Sequence, residues 1–177
     1  MFTICAVDPG VTGAIAFAEI DPVSGVISNP RAFDLPLSDL FGPRPEVDEA
    51  GIHAIVAREA PRIAVIEHLV TRGGSFGKTA QFSKGKSYVA ARSALRIWFA
   101  SAGRPCSLHP VAPDVWKRAL DLTGTEKDES LLRAIARFPD AAPLLSRKKD
   151  HDRAEALLLI AYYADHLMRR NEPVTVI

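Results

Sequence analysis

Four carboxylates stand where residue type and spacing can do chemistry. Asp8 closes the apolar run Phe2-Thr3-Ile4-Cys5-Ala6-Val7, and Glu67 closes a second one, Ile63-Ala64-Val65-Ile66. A charge at the end of an apolar strand costs free energy unless something pairs with it. Asp152 and Glu155 are three residues apart at the start of the last amphipathic stretch, so on a helix they share a face one turn apart. Taken singly, each has a plainer reading. Asp8 precedes Pro9-Gly10 and suits a turn, Glu67 can reach solvent from a strand end, and Asp152 with Glu155 forms a capping-box-like pair that suits a helix dipole. Converging from two strand ends and one helix start, four like charges repel unless a cation sits between them.

Such a set suits two hard divalent cations about 3.5–4 Å apart, with oxygen ligands appropriate to Mg²⁺ and with Mn²⁺ able to substitute. The chemistry of that pair is phosphodiester hydrolysis: one ion lowers the pKa of a water that attacks, and the other stabilises the leaving 3′ oxygen of an in-line displacement. Asp8, Glu67, Asp152 and Glu155 are thus the candidate catalytic and metal-ligating residues. No Ser-His-Asp order and no phosphate-cradling GxxxxGK[ST] run competes with them. His151 borders the cluster and suits either a water-orienting role or an exposed helix start, while His68 should point to the opposite side of its strand from Glu67.

The elements that must position these groups follow from the hydrophobic pattern. Residues 2–7 and 14–18 read as strands around the turn Asp8-Pro9-Gly10-Val11-Thr12-Gly13, and residues 25–34 as a third strand. A proline-containing loop over 36–45, a helix near 47–60 and the strand 63–66 come next. The segment 71–86, with four glycines, three lysines and an arginine, predicts a mobile loop. A helix over 87–102 is stopped by Gly103, and a short strand falls at 105–109. Further helices start at Pro113, carrying Trp116, and run over 126–138 and roughly 152–170, the last with an apolar stripe of Ala156, Leu157, Ile160, Ala161, Ala164 and Leu167. Three strands in a row predict an antiparallel meander, and the later alternation predicts parallel strands added by crossovers. The expected fold is an α/β mixed five-stranded sheet flanked by helices, in one domain over residues 1–177.

Charge is uneven along the chain. Net charge is +1, yet residues 68–113 hold no acid and seven cations: Arg72, Lys78, Lys84, Lys86, Arg92, Arg96 and Arg104. That segregation suits a polyanion-attracting surface beside an acidic site. Arg72, Lys78, Lys84 and Lys86 follow Glu67 directly and are the candidate phosphate contacts, with Lys117 and then Lys127, Lys148 and Lys149 behind them. Phe76 and Phe82 are interleaved with these cations, where an aromatic can stack on an unpaired base. No apolar stretch reaches the ~20 residues needed to span a bilayer. The N-terminus lacks a secretory pattern, and Cys5 and Cys106 show no CxxC spacing, which together predict a reducing cytoplasmic setting.

At this point the residues resemble a known family. The Asp8-Pro9-Gly10-Val11-Thr12-Gly13 turn followed by an apolar strand is similar to the opening of the RuvC-type Holliday junction resolvases of the RNase H-like superfamily. Ile66-Glu67 resembles the glutamate at the end of that family's fourth strand. Asp152-Arg153-Ala154-Glu155-Ala156 resembles its D-x-x-[DE]-A helix start, and Asp114-Val115-Trp116-Lys117 with Gly124 and Lys127 resembles the stretch before it. The likeness spans nearly the whole chain. It implies an RNase H-like fold, a Mg²⁺ or Mn²⁺ requirement, a homodimer, and paired nicks of four-way DNA junctions in a bacterial or phage-infected cell. Glu155 stands where the cellular enzymes usually carry Asp, and the segment after Glu67 is longer and richer in glycine. Both departures look like phage-encoded relatives.

Other readings stay open. The same acids suit an RNase H-like nuclease acting on RNA or other branched DNA, and a non-catalytic binder of DNA structures would need no complete acidic set. An actin-like or sugar-kinase ATPase also opens with an Asp-x-Gly-x-Thr hairpin, but two such domains around a nucleotide exceed 177 residues. For a dimer, the helix face carrying Leu95, Trp98 and Phe99 is the candidate interface.

Overall fold

The computed structural model describes residues 1–40, 42, 44–69 and 78–168. In chain order its elements are β1 (Phe2–Asp8), β2 (Ala14–Ile20), β3 (Ile27–Asp34), β4 (Leu37–Ser38), β5 (Glu46–Val47), α1 (Glu49–Glu59), β6 (Ile63–Glu67), α2 (Lys78–Ser101), β7 (Leu108–Val111), α3 (Pro113–Ala119), α4 (Lys127–Arg137) and α5 (His151–Tyr162). The main sheet runs β3-β2-β1-β6-β7, antiparallel across β3, β2 and β1, and parallel from β1 through β6 to β7. This is the mixed five-stranded arrangement the strand order predicts.

Strand alternation sorts the core into two layers. Ile4, Ala6, Ala14, Ala16, Ala18, Ile20 and Val65 face α5, α3 and α4, while Cys5, Val7, Ile15, Phe17, Ala64 and Ile66 face α1 and α2. Because both faces are covered, β1, β2 and β6 read as nearly continuous apolar runs. Asp8 follows the parity of Ile4 and Ala6, and Glu67 that of Val65, so both carboxylates belong to the α5 face. α5 is buried all round from Ala156 to Ala161, Leu158 and Leu159 included, because α4 and the 3-10 segment Pro139–Leu145 pack around it as well as the sheet.

Several local expectations are corrected. The segment read as a loop over 71–86 is helical from Lys78 onward, so Phe82, Lys84 and Lys86 sit on the first turns of α2. Lys, Ala and Gln are good helix formers and a single interior glycine costs only about 1 kcal/mol. Ser87 is buried there and donates to Ser83 O at 3.1 Å, tying these turns to the packed part of the helix. Arg72 and Phe76 lie outside the described residues. The strand expected at 105–109 is displaced to Leu108–Val111, and Pro110 is tolerated within it because β7 is an edge strand. The loop at 36–45 begins and ends in the two-stranded pairing of β4 with β5. The final helix starts at His151 and passes into a π turn over Tyr163–Leu167. Leu95 and Phe99, offered as an interface, are fully buried in the core, and Trp98 donates to Pro61 O at 3.4 Å.

Candidate metal centre

The β1–β2 hairpin fixes the first carboxylate. Gly13 N donates to Gly10 O at 3.0 Å, which closes the turn. A Cβ on Gly13 would lie 2.2 Å from Asp8 O and 2.6 Å from Gly10 N, so only glycine lets the returning chain pass this close beneath Asp8. β6 lies beside β1 in parallel, with Val7 opposite Ile66, and this register carries Asp8 and Glu67 to the same end of the sheet. α5 then brings its first turn across that end. One carboxylate oxygen each from Asp8, Glu67 and Glu155 lies within 4.8 Å of the others.

Asp152 stands beside this trio, lining the same cleft of about 440 Å³. Its charge acts on Asp8, and its Oδ1 lies 2.9 Å from His151 Nε2. His151 Nδ1 is in turn 3.3 Å from Lys148 O.

The neighbours of the acids are specific. Trp116 of α3, fully buried, donates its indole N–H to Glu67 Oε2 at 3.0 Å. Ser130 of α4 donates to Glu155 Oε1 at 3.2 Å, and Lys117 donates to the same oxygen at 2.9 Å. Lys84 of α2 lies 4.0 Å from Glu67 Oε1. Ser130 carried no signal in the sequence. Lys117 was expected as a phosphate contact and Trp116 belongs to the same family-like stretch, but the indole's bond to Glu67 depends on how α3 docks.

Electrostatics of the cleft follow from burial and like charge. Burial foremost, then the carboxylates of Glu67, Glu155 and Asp152, hold the Asp8 carboxyl well above its usual range, with Lys84 opposing. Glu67 is also raised, by burial and then by Glu155, against the Trp116 hydrogen bond and the charges of Lys84 and Lys117. Burial works against the Lys117 ammonium, but Glu155, Glu67 and Asp8 more than offset it and hold it above its ordinary value. Carboxyls in this condition gain from either a proton or a cation. An all-oxygen donor set suits a hard divalent ion.

The sequence-predicted DNA contacts divide. Lys84 and Lys117 join the cleft. Lys86 instead pairs with Glu46 of β5 and lies over the Phe82 ring, 5.6 Å from its centroid. Phe82 is 70% exposed and so is not part of the core. It lines a larger groove of about 1100 Å³ that runs between α2 and the β4–β5 pair and reaches Val11 in the hairpin turn. Lys148 pairs with Asp128 at 3.4 Å, and Lys149 is exposed. Lys78 begins α2, and Lys127 begins α4.

No family model matches the chain. A stretch of 48 residues, 27% of the chain, is 50% identical to the chloroplastic Holliday junction resolvase MOC1 of Chlamydomonas reinhardtii, and spans 5% of that protein's length. Thermus thermophilus RuvC superposes with a TM-score of 0.53 at 17% identity, covering 92% of this chain and 95% of that one. The same enzyme in complex with a Holliday junction substrate gives 0.53 at 15% identity, over 93% and 96%. The yeast mitochondrial Holliday junction resolvase Ydc2 gives 0.54 at 15% identity, over 95% and 80%. The fold is the RNase H-like fold of RuvC.

Proposed function

We propose that this chain is a divalent-metal-dependent endonuclease that resolves four-way DNA junctions by paired nicks, acting as a homodimer, with Asp8, Glu67, Asp152 and Glu155 as its metal-holding and catalytic residues. The observation that carries the reading is the meeting of Asp8, Glu67 and Glu155 within 4.8 Å at one end of the sheet. Mg²⁺ is the proposed ion, with Mn²⁺ able to replace it. Bound there, the cations would supply an activated water and stabilisation of charge on the leaving oxygen.

The chain's own residues do the rest. Trp116 holds one Glu67 oxygen and leaves the other turned toward Lys84. Ser130 and Lys117 hold Glu155 Oε1, which fixes the direction of its carboxylate. Lys84 and Lys117 put positive charge on the rim, where a backbone phosphate must enter an otherwise acidic cleft. Lys86 and the exposed ring of Phe82 are further proposed contacts, and Arg72 and Lys78 are proposed contacts from the sequence alone. The proposed domain is residues 1–177, and the glutamate at position 155 supports a phage-type relationship within the RuvC-like group.

Asp8→Asn and Glu67→Gln test the reading. Each should abolish Mg²⁺-dependent cleavage of a four-way junction while leaving junction binding intact or tighter, because repulsion of phosphate falls. Cleavage near the wild-type rate in either variant would remove the assignment. A second reading is a nuclease of RNA or other branched DNA, which the same cluster of acids would serve equally well. Junction, duplex, flap and RNA-containing substrates compared in Mg²⁺, Mn²⁺ and EDTA separate the two.

A further inference from the structure

A second cluster of charge lies on the other face of the sheet. Arg92 and Arg96 of α2 line a cavity of about 200 Å³ with His68, Tyr88, Cys106 and Leu108. No acid lines it, and residues 68–113 contain none. Neither guanidinium has an acidic partner among the described residues, although the two are one helical turn apart on one side of the helix. As with the carboxylates but with the sign reversed, two like charges brought to one cavity are relieved by a counter-ion.

The geometry points to a phosphoryl-binding site in this cavity, with the guanidiniums of Arg92 and Arg96 as its anion-holding groups. Guanidinium forks match phosphate oxygens in geometry and charge. His68 and Tyr88 furnish two further polar groups at the wall, held to each other by a 3.1 Å contact between His68 Nδ1 and the Tyr88 hydroxyl. The site also has a direction. Lys84, Tyr88, Arg92 and Arg96 follow at intervals of four along α2, so a row leads from the Glu67 carboxylate to the cavity over roughly 18 Å. Measured along the axis of a duplex, that distance is about five base pairs. The phosphoryl group can therefore belong to a nucleic-acid backbone passing the carboxylate site, which rests on the proposed function, or to a small phosphorylated molecule, which does not.

Two measurements test it. In the first, the double variant Arg92→Gln, Arg96→Gln and the wild type are titrated with four-way junction and duplex DNA in EDTA across a salt series. Loss of two phosphate contacts should flatten the log Kd against log salt slope by about 1.8. Arg133→Gln, Arg137→Gln on α4, whose arginines are already paired with Glu129 and Asp165, should leave the slope unchanged. In the second, wild-type protein without nucleic acid is titrated with inorganic phosphate against chloride at equal ionic strength, and the arginine Nε–H NMR signals are followed. Movement of the Arg92 and Arg96 signals alone supports the site and assigns it to a small ligand if the DNA slope is unaltered. A flattened slope supports it as a backbone contact. Absence of both the flattened slope and the phosphate-dependent shift would overturn the proposal. The phosphate arm reads the cavity even if the chain binds no DNA at all, so failure of the nuclease reading stays distinguishable.

Discussion

At the scale of residues, the acids of the cleft set a stability that should depend on pH in a direction opposite to that of paired surface carboxylates. Asp8 and Glu67 have folded-state values raised above their ordinary ones by burial first, and then by neighbouring carboxylates, Glu67, Glu155 and Asp152 for Asp8 and Glu155 for Glu67. A raised carboxyl contributes stability that is fully present below the ordinary carboxylate range and is lost as pH rises through the folded value. Metal-free protein in EDTA should therefore melt at lower temperature as pH climbs from the acid side toward neutrality, and Asp8→Asn should flatten that fall. Mg²⁺ at about 100 times its dissociation constant should return about 2.7 kcal/mol at neutral pH to the wild type. Calorimetric melts in EDTA and in Mg²⁺ check both, and a metal-free profile untouched by Asp8→Asn would show that the carboxyl does not strain the fold. Trp116→Phe keeps the buried ring and deletes the N–H that holds Glu67. Loss of such an orienting partner should raise the Mg²⁺ concentration needed for half-maximal cleavage about 10–100-fold, with kcat at saturating metal changed far less.

Elements determine whether those residues meet, and here the sequence was legible in some places and silent in others. Continuous apolar runs ending in Asp8 and Glu67 announced strands, and the three-residue spacing of Asp152 and Glu155 announced a helix start. Both signals are local, because burial and periodicity are written into neighbouring residues. The first turns of α2 were not legible, since the glycines and lysines around Phe82 and Lys84 look like a loop until the rest of the helix packs and Ser87 is buried. Nor were the partners of the acids: Trp116 and Ser130 reach Glu67 and Glu155 across 49 and 25 residues of sequence. Gly13 is a place where element and site coincide. Gly13→Ala must push the hairpin off Asp8 O, and an overpacked position of this kind costs about 1–3 kcal/mol. Urea titration should show that loss together with impaired cleavage, because the turn that moves carries Asp8. An alanine variant with wild-type stability and rate would mean that the close approach plays no part in setting the carboxylate.

The whole molecule combines near-zero net charge with strong segregation, +7 over residues 68–113 against −6 over the rest. Attraction of a polyanion is then expected from that part of the chain, and the sensitivity of the proposed DNA binding to salt counts the contacts it makes. Lys86, already engaged with Glu46, should contribute less than Lys84, which stands over the open end of the acid cleft. Lys84→Gln is thus expected to flatten the salt slope by about 0.9 and Lys86→Gln by clearly less. Resolution of a junction makes a further demand, because one carboxylate site makes one nick. If the active species is the proposed homodimer, a supercoiled plasmid carrying an extruded cruciform should be converted largely to linear product, the second nick falling before the first relaxes the superhelix and the cruciform is reabsorbed. Mixing wild type with an excess of the inactive Asp8→Asn protein should divert the product to nicked circles, since mixed dimers hold one working site. Linear product that persists in proportion to the wild-type protein alone would mean that each subunit cuts independently of a partner.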